Sequence, residues 1–272
     1  MKSNYFKAAL AADALSLGPH WVYDQGKLAR LYPDGITEFT DPASSYHPNR
    51  KAGQLTHFGD QMVLLKESLE PGGYDESRWR ENWLVGMANY EGYLDGATKE
   101  TQANNGLSPS GSNDLSGASR LAPILDLEIT PEAKIAAARS QTTLTHGDPG
   151  VEESAEFFVR STLAVEAGAT FTEAFEKAAT EGSYSSLNPA DVLKCVAMAG
   201  NDYLKVGSNY GLTCHLPEAF PLTLYLTLRK EATFQSAITE NGLAGGDTSA
   251  RAMLLALLFE AREPGSASSH AP

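Results

Sequence analysis

Residues 53–69 read GQLTHFGDQMVLLKESL. The stretch opens as a loop and closes as an apolar run at helical spacing, with His57, Gly59, Asp60 and Gln61 at the junction. An Asp at a helix start satisfies free backbone N–H groups and the positive end of the helix dipole. A histidine beside it has a reference pKa suited to proton transfer near neutrality. The junction therefore reads either as a helix start or as part of a site, and the flanking sequence has to decide.

Outward from it, helix signals dominate. Asp75 starts a segment with Trp79, Trp83, Met87 and Tyr90 at three- and four-residue spacing, one apolar stripe. Thr130-Pro131 and Asn188-Pro189 repeat a cap-then-proline start, and Thr170 and Glu173 have capping-box spacing. The segment 151–168 reads as a helix ended by Gly168. Leu/Thr alternation over 220–230 suggests a strand, but an isolated strand has nothing to pair with, so a helix is expected. Strand–helix alternation is missing, which argues against a doubly wound or barrel fold. The expected architecture is all-α, one domain over 1–262 with long loops at 32–59 and 97–117, a length that marks loops as functional or disordered. Residues 263–272 are expected to be a disordered tail.

The formal charge is −13 without a Lys/Arg cluster, which disfavours nucleic acid and anionic membrane surfaces as partners. No apolar run approaches the ~20 residues of a membrane span. The N-terminal segment is too interrupted for a signal peptide, and Cys195 and Cys214 make no disulfide framework. A cytoplasmic protein acting on a small molecule is expected.

Polar residues gather at four places: ADALSLGPHWVYD (Asp13, His20, Trp21, Tyr23, Asp24), SYHPNRKAGQLTHFGDQ (Tyr46, His47, His57, Asp60, Gln61), NDLSGASRLAP followed later by LTH (Ser116, Gly117, Arg120, His146), and LAGGDTSARAMLLALLF (Gly246, Asp247). Asp60 and Asp247 also read as helix caps, Trp21 and Tyr23 as core. None of the four carries a nucleophile elbow, a P-loop or a Cys/His zinc spacing.

In this order the segments resemble the ADP-ribosylglycohydrolase superfamily, an all-α group that includes J1-type crystallins. ADALS stands for its opening G-D-A-L-G, HFGDQM for T-D-D-T-Q-M, LSGASRLAP for S-N-G-S/A-M-R-x-A-P, and GGDTSA for G-G-D-T-D-T; L-T-H is kept. The resemblance implies a compact orthogonal multi-helix bundle whose long loops line a cleft that holds two Mg²⁺ ions and an ADP-ribose-type ligand. Yet His57, Phe58 and Gly59 replace Thr-Asp-Asp, and Ser249 and Ala250 replace the last Asp and Thr. Mg²⁺ needs near-octahedral oxygen, so no two-Mg²⁺ centre and no cofactor are expected.

The leading expectation is a metal-independent hydrolase, or a related small-molecule enzyme, acting by His/Asp acid–base chemistry, with an N-glycosidic bond as the candidate target. His57, Asp60 and Asp247 would be catalytic. His20, Trp21, Asp24, Tyr46, His47, Gln61, Ser116, Gly117, Arg120, His146 and Gly246 would bind substrate, with Arg120 offered to an anionic group. The alternatives are a single transition metal on His57, Asp60 and Asp247, or a non-catalytic ligand-binding or structural protein.

Overall fold

The computed structural model describes residues 2–69 and 73–271. Its centre is the packing of two helices from opposite ends of the chain, α1 (Tyr5–Ser16) and α14 (Thr248–Arg262). Ala8, Ala9, Ala11, Ala12 and Ala14 are all fully buried, and their small side chains let α14 approach closely. On α14 the run Met253, Leu254, Leu255, Leu257, Leu258 and Phe259 is 0% exposed. Each such side chain contributes roughly 1.5–3 kcal/mol of gross burial energy, which explains why a helix apolar on every face sits at the core.

Around this pair lie α2 (Gln25–Leu31), α3 (His57–Ser68), α4 (Glu76–Ala88) and α5 (Gly96–Ala103), then a 3₁₀ segment Leu115–Leu121 leading into α6 (Ala122–Leu125). The second half supplies α7 (Pro131–Thr142), α8 (Pro149–Glu166), α9 (Phe171–Glu181), α10 (Pro189–Ala197), α11 (Tyr203–Tyr210), α12 (Leu216–Thr227) and α13 (Phe234–Ala244). The caps act as expected: Thr130 and Asn188 bond their third N–H groups, and Thr170 with Glu173 forms a capping box. Trp79, Trp83 and Met87 bury one stripe of α4 in a second cluster with Leu65, Ile124 and Leu144. Among the described residues no strand forms; three isolated bridges, Val22 with Gly246, Ser110 with His146 and Asp114 with His215, tie loops together.

The structure differs from expectation in three places. The loop foreseen at 97–117 is shortened by α5 at its start, capped by Asp95. The N-cap of α3 is Thr56, whose hydroxyl accepts from the Phe58 N–H, so Asp60 lies in the first turn and caps nothing. The tail foreseen as disordered folds back through residue 271: the Glu260 carboxylate accepts from the N–H groups of Gly265, Ala267 and Ser268, and Ala267 is fully buried. No helix among the described residues is long and apolar enough to cross a membrane.

Candidate active site

The motif-bearing segments meet at the N-termini of α3 and α14, where two polar clusters lie side by side. In the first, the buried Asp13 of α1 accepts from the Thr56 N–H at 2.8 Å, from the Thr56 hydroxyl at 2.6 Å and from the Ser249 hydroxyl. Burial pushes Asp13 up to about 6 even though Ser249 and Thr56 donate to it. Gly59 makes this knot possible, since a Cβ there would stand 2.1 Å from Asp13 Oδ2.

The second cluster holds His20, His47 and His57, which are 0%, 2% and 1% exposed. They arrive from three segments: the turn after α1, the 32–56 loop and the first turn of α3. One ring nitrogen of each lies within 4.8 Å of the others. His20 Nε2, His47 Nε2 and both ring nitrogens of His57 have no hydrogen-bond partner. Burial, with His47 and His57 close by, holds His20 well below its usual value, and burial with His57 lowers His47 to about 3. His57 Nε2 is 3.3 Å from Asp95, and His20 Nδ1 is 3.7 Å from Asp247.

Trp21 covers these rings, stacked on His20 and His47 at centroid distances of 4.4 and 5.3 Å. It adopts φ +58°, a conformation that costs a bulky residue of order 1–3 kcal/mol. Its N–H donates to Gly246 O, and the Gly246 N–H returns to Val22 O. Gly246 itself has φ +73°, and a Cβ there would lie 1.9 Å from Leu212 O.

Outside Trp21 opens a cleft of about 450 Å³, walled by Trp21, Tyr23, Tyr46 and Tyr93 with Asp95, Glu100, Asp114 and Cys214. Trp21, Tyr46 and Tyr93 pack edge to face at 4.7–5.7 Å. Behind this wall Asp114, Cys214 and the fully buried Asp247 bring ligand-type atoms within 4.8 Å of one another. Asp247 occupies the N-cap position of α14 without a side-chain cap bond, and both its oxygens are unpartnered. Burial and the neighbouring Asp114 raise Asp247; burial and Asp95 raise Asp114. Asp95 goes the other way: burial opposes it, but His57 and the Thr98 N–H hold its carboxyl well below the usual range. Burial, Asp114 and Asp247 push the Cys214 thiol up, so it stays protonated.

Of the residues singled out in the sequence, His20, Trp21, Tyr46, His47, His57, Gly246 and Asp247 come together here. Asp60 does not join them. It is paired with Arg50 and with the Tyr90 hydroxyl in a separate groove between α3 and α4. Asp24 is an exposed cap of α2 that accepts from the Lys27 N–H. Gln61 and Arg120 are interior braces. Gln61 accepts from Trp83 Nε1 and Arg120 Nη1, and Arg120 also holds Gln141 and Thr145, so its guanidinium is not free for an anion. The Ser116 N–H is bonded to Asp114, Gly117 O accepts from Gln141, and His146 is bonded to Thr145; all three residues are buried or packed against one another. Tyr93, Asp95, Asp114 and Cys214 escaped the sequence reading, because Asp95 and Asp114 look like ordinary caps and indeed cap Thr98 and Ser116.

The two-Mg²⁺ centre implied by the resemblance does not fit these residues. Asp13 fills the space a side chain at Gly59 would need, the Ser249 hydroxyl is spent on Asp13, and Phe58 and Ala250 carry no side-chain oxygen. Three imidazoles, or two carboxyls with a thiol, are donor sets of a different kind.

The family model described as ADP-ribosylglycohydrolase matches residues 7–261. A solved structure, an "ADP-ribosylglycohydrolase-related protein complex", superposes with a TM-score of 0.72 at 18% identity, covering 99% of this chain and 88% of that one. At that identity the likeness speaks for the fold. No curated protein matches the chain in sequence.

Proposed function

Since the chain belongs to the ADP-ribosylglycohydrolase family, whose members are generally hydrolases, we propose that it cleaves an N-glycosidic bond by carboxyl acid–base chemistry, without a two-Mg²⁺ centre. The observation that carries this reading is the split among three carboxyls at one cleft. Asp114 and Asp247 are raised while Asp95 is lowered. Environments that push neighbouring acids apart assign acid and base roles. Two carboxyls as close as Asp114 and Asp247 do not both ionise, so the pair keeps a proton. Asp114 reaches the cleft and donates that proton to the leaving group; Asp247, behind it, shares it. Asp95 stays anionic, takes the proton of the attacking water and stabilises positive charge developing at the anomeric carbon. His57 acts on the reaction through Asp95, because Trp21 and Tyr93 stand over its ring.

The cleft also bears on substrate class. Its lining has Asp95, Glu100 and Asp114 but no Lys or Arg. Lys99 Nζ, 5.7 Å from the Tyr93 ring centre, is the cation in contact with the wall. A diphosphate finds little to pair with there, whereas an aromatic wall beside carboxylates favours a neutral or cationic glycoside. Adenosine, a neutral N-riboside without phosphate whose leaving base takes up a proton, and ADP-ribosylarginine are the comparison pair. The expected outcome is faster hydrolysis of the former, at a rate unchanged by added Mg²⁺. Turnover of neither, or turnover that needs Mg²⁺, would refute the proposal; binding without turnover would favour a non-catalytic ligand-binding protein.

A further inference from the structure

We propose that His20, His47 and His57 form a binding site for one borderline divalent metal ion of the Zn²⁺ class. The site goes beyond the hydrolysis proposed above and does not depend on it. The first support is the set of unpaired atoms. His20 Nε2, His47 Nε2 and His57 Nδ1 are buried without a partner. Leaving a buried polar group unpaired costs about 1–3 kcal/mol, and such orphans call for an ion or a water. Three gathered in one place imply a single occupant that satisfies all of them.

The second support is the backing of the rings. A metal-bound histidine ordinarily gives its other nitrogen to a carboxylate, which fixes ring and tautomer. Here Asp95 stands 3.3 Å behind His57 Nε2, and Asp247 Oδ1 stands 3.7 Å behind His20 Nδ1. The nitrogens facing carboxylates are thus not His57 Nδ1 and His20 Nε2, the ones left free for metal. The Ser249 N–H also points at His20 Nδ1 from 3.3 Å, so loading would turn that nitrogen from acceptor to donor, with Asp247 as its receiver.

Geometry and donor chemistry agree. Nitrogens bound to one Zn²⁺ at ~2.0–2.1 Å stand roughly 3.3 Å apart in a tetrahedron, and one nitrogen of each ring lies within 4.8 Å of the others. Small ring rotations close that difference. Imidazole donors select Zn²⁺, Co²⁺, Ni²⁺ or Cu²⁺ over Mg²⁺. An ion here would pin the turn after α1, the 32–56 loop and the first turn of α3. It would thereby fix Trp21, which stacks on two of the rings.

The test is to titrate the chelator-stripped, full-length protein with Co²⁺ and with Zn²⁺. The expected result is one ion per chain, with the intense visible absorption of a low-symmetry Co²⁺ site and a higher Tm with Zn²⁺ but not with Mg²⁺. His47→Gln should weaken binding by at least ~100-fold, and Asp95→Asn, which removes the backing of His57, by roughly 10–100-fold. Cys214→Ser, which alters the neighbouring Asp114–Cys214–Asp247 cluster, should leave the spectrum and affinity unchanged. Absence of binding by the wild-type protein overturns the proposal, and so does binding that survives His47→Gln or vanishes with Cys214→Ser.

Discussion

Two buried polar clusters share the junction of α1, α3 and α14, and they differ in one respect. Around Asp13 every oxygen is answered: Thr56 donates to the carboxylate through its N–H and its hydroxyl, and Ser249 through its hydroxyl. Around His20, His47, His57 and Asp247, four ring nitrogens and two carboxyl oxygens face the interior unanswered. A closed network holds a fold together and specifies one arrangement. An open one is destabilising as it stands and becomes useful only with an occupant or a proton to move. The family's metal motifs run through both clusters, yet this chain has made one of them into a knot and left the other open.

The sharpest way to break that comparison is to put back a carboxylate of the family's metal motif. Gly59→Asp places a Cβ against Asp13 and adds a second buried acid. The expected cost is roughly 3–5 kcal/mol, read as a large drop in Tm, with no Mg²⁺ dependence gained. A variant that folds normally and binds Mg²⁺ would show that the knot is not closed.

The knot's own titration gives the next effect. Asp13 has a folded pKa of about 6 against an ordinary value of 3.8, so folding favours its protonated form. Its stabilising share is therefore fully present below about pH 3.8 and is lost as pH rises through about 6, a swing of about 3 kcal/mol. Asp13→Asn removes this slope. Denaturant unfolding of both proteins between pH 4 and pH 7 measures the difference, and parallel profiles would contradict it.

The smallest effect belongs to Asp60. Its pairing with Arg50 is part-exposed, and its groove is separate from the aromatic cleft. Asp60→Asn should cost about 1 kcal/mol or less and leave hydrolysis within a few-fold of wild type. A collapse of turnover would return Asp60 to the site.

These cases also show what the sequence could reveal. The fold was legible because helix starts and apolar stripes are local: Thr130-Pro131, the Thr170–Glu173 box and the Trp79–Trp83–Met87 face each work within one helix. Half of the site was legible too, since His20, Trp21, His47 and Asp247 stand in segments recognisable by their order. The carboxyls were harder. Asp24, Asp95, Asp114 and Asp247 all precede helices and share one local signature. Asp24 merely caps, Asp95 and Asp114 cap with one oxygen while facing the cleft, and Asp247 caps with neither. What separates them is the partner brought by a distant segment: His57 to Asp95, and Asp114 with Cys214 to Asp247. Asp60 was misread for the same reason, because Arg50 comes to it from a loop without regular structure.

The most direct test of the central claim, that the open cluster and its cleft do the chemistry, is the turnover of Asp114→Asn. Asparagine still caps the Ser116 N–H, so the fold and its Tm should stay close to wild type. The shared proton is lost with the carboxyl, and hydrolysis should fall by roughly 10²–10⁴-fold. A folded Asp114→Asn protein that hydrolyses adenosine at the wild-type rate would contradict the account.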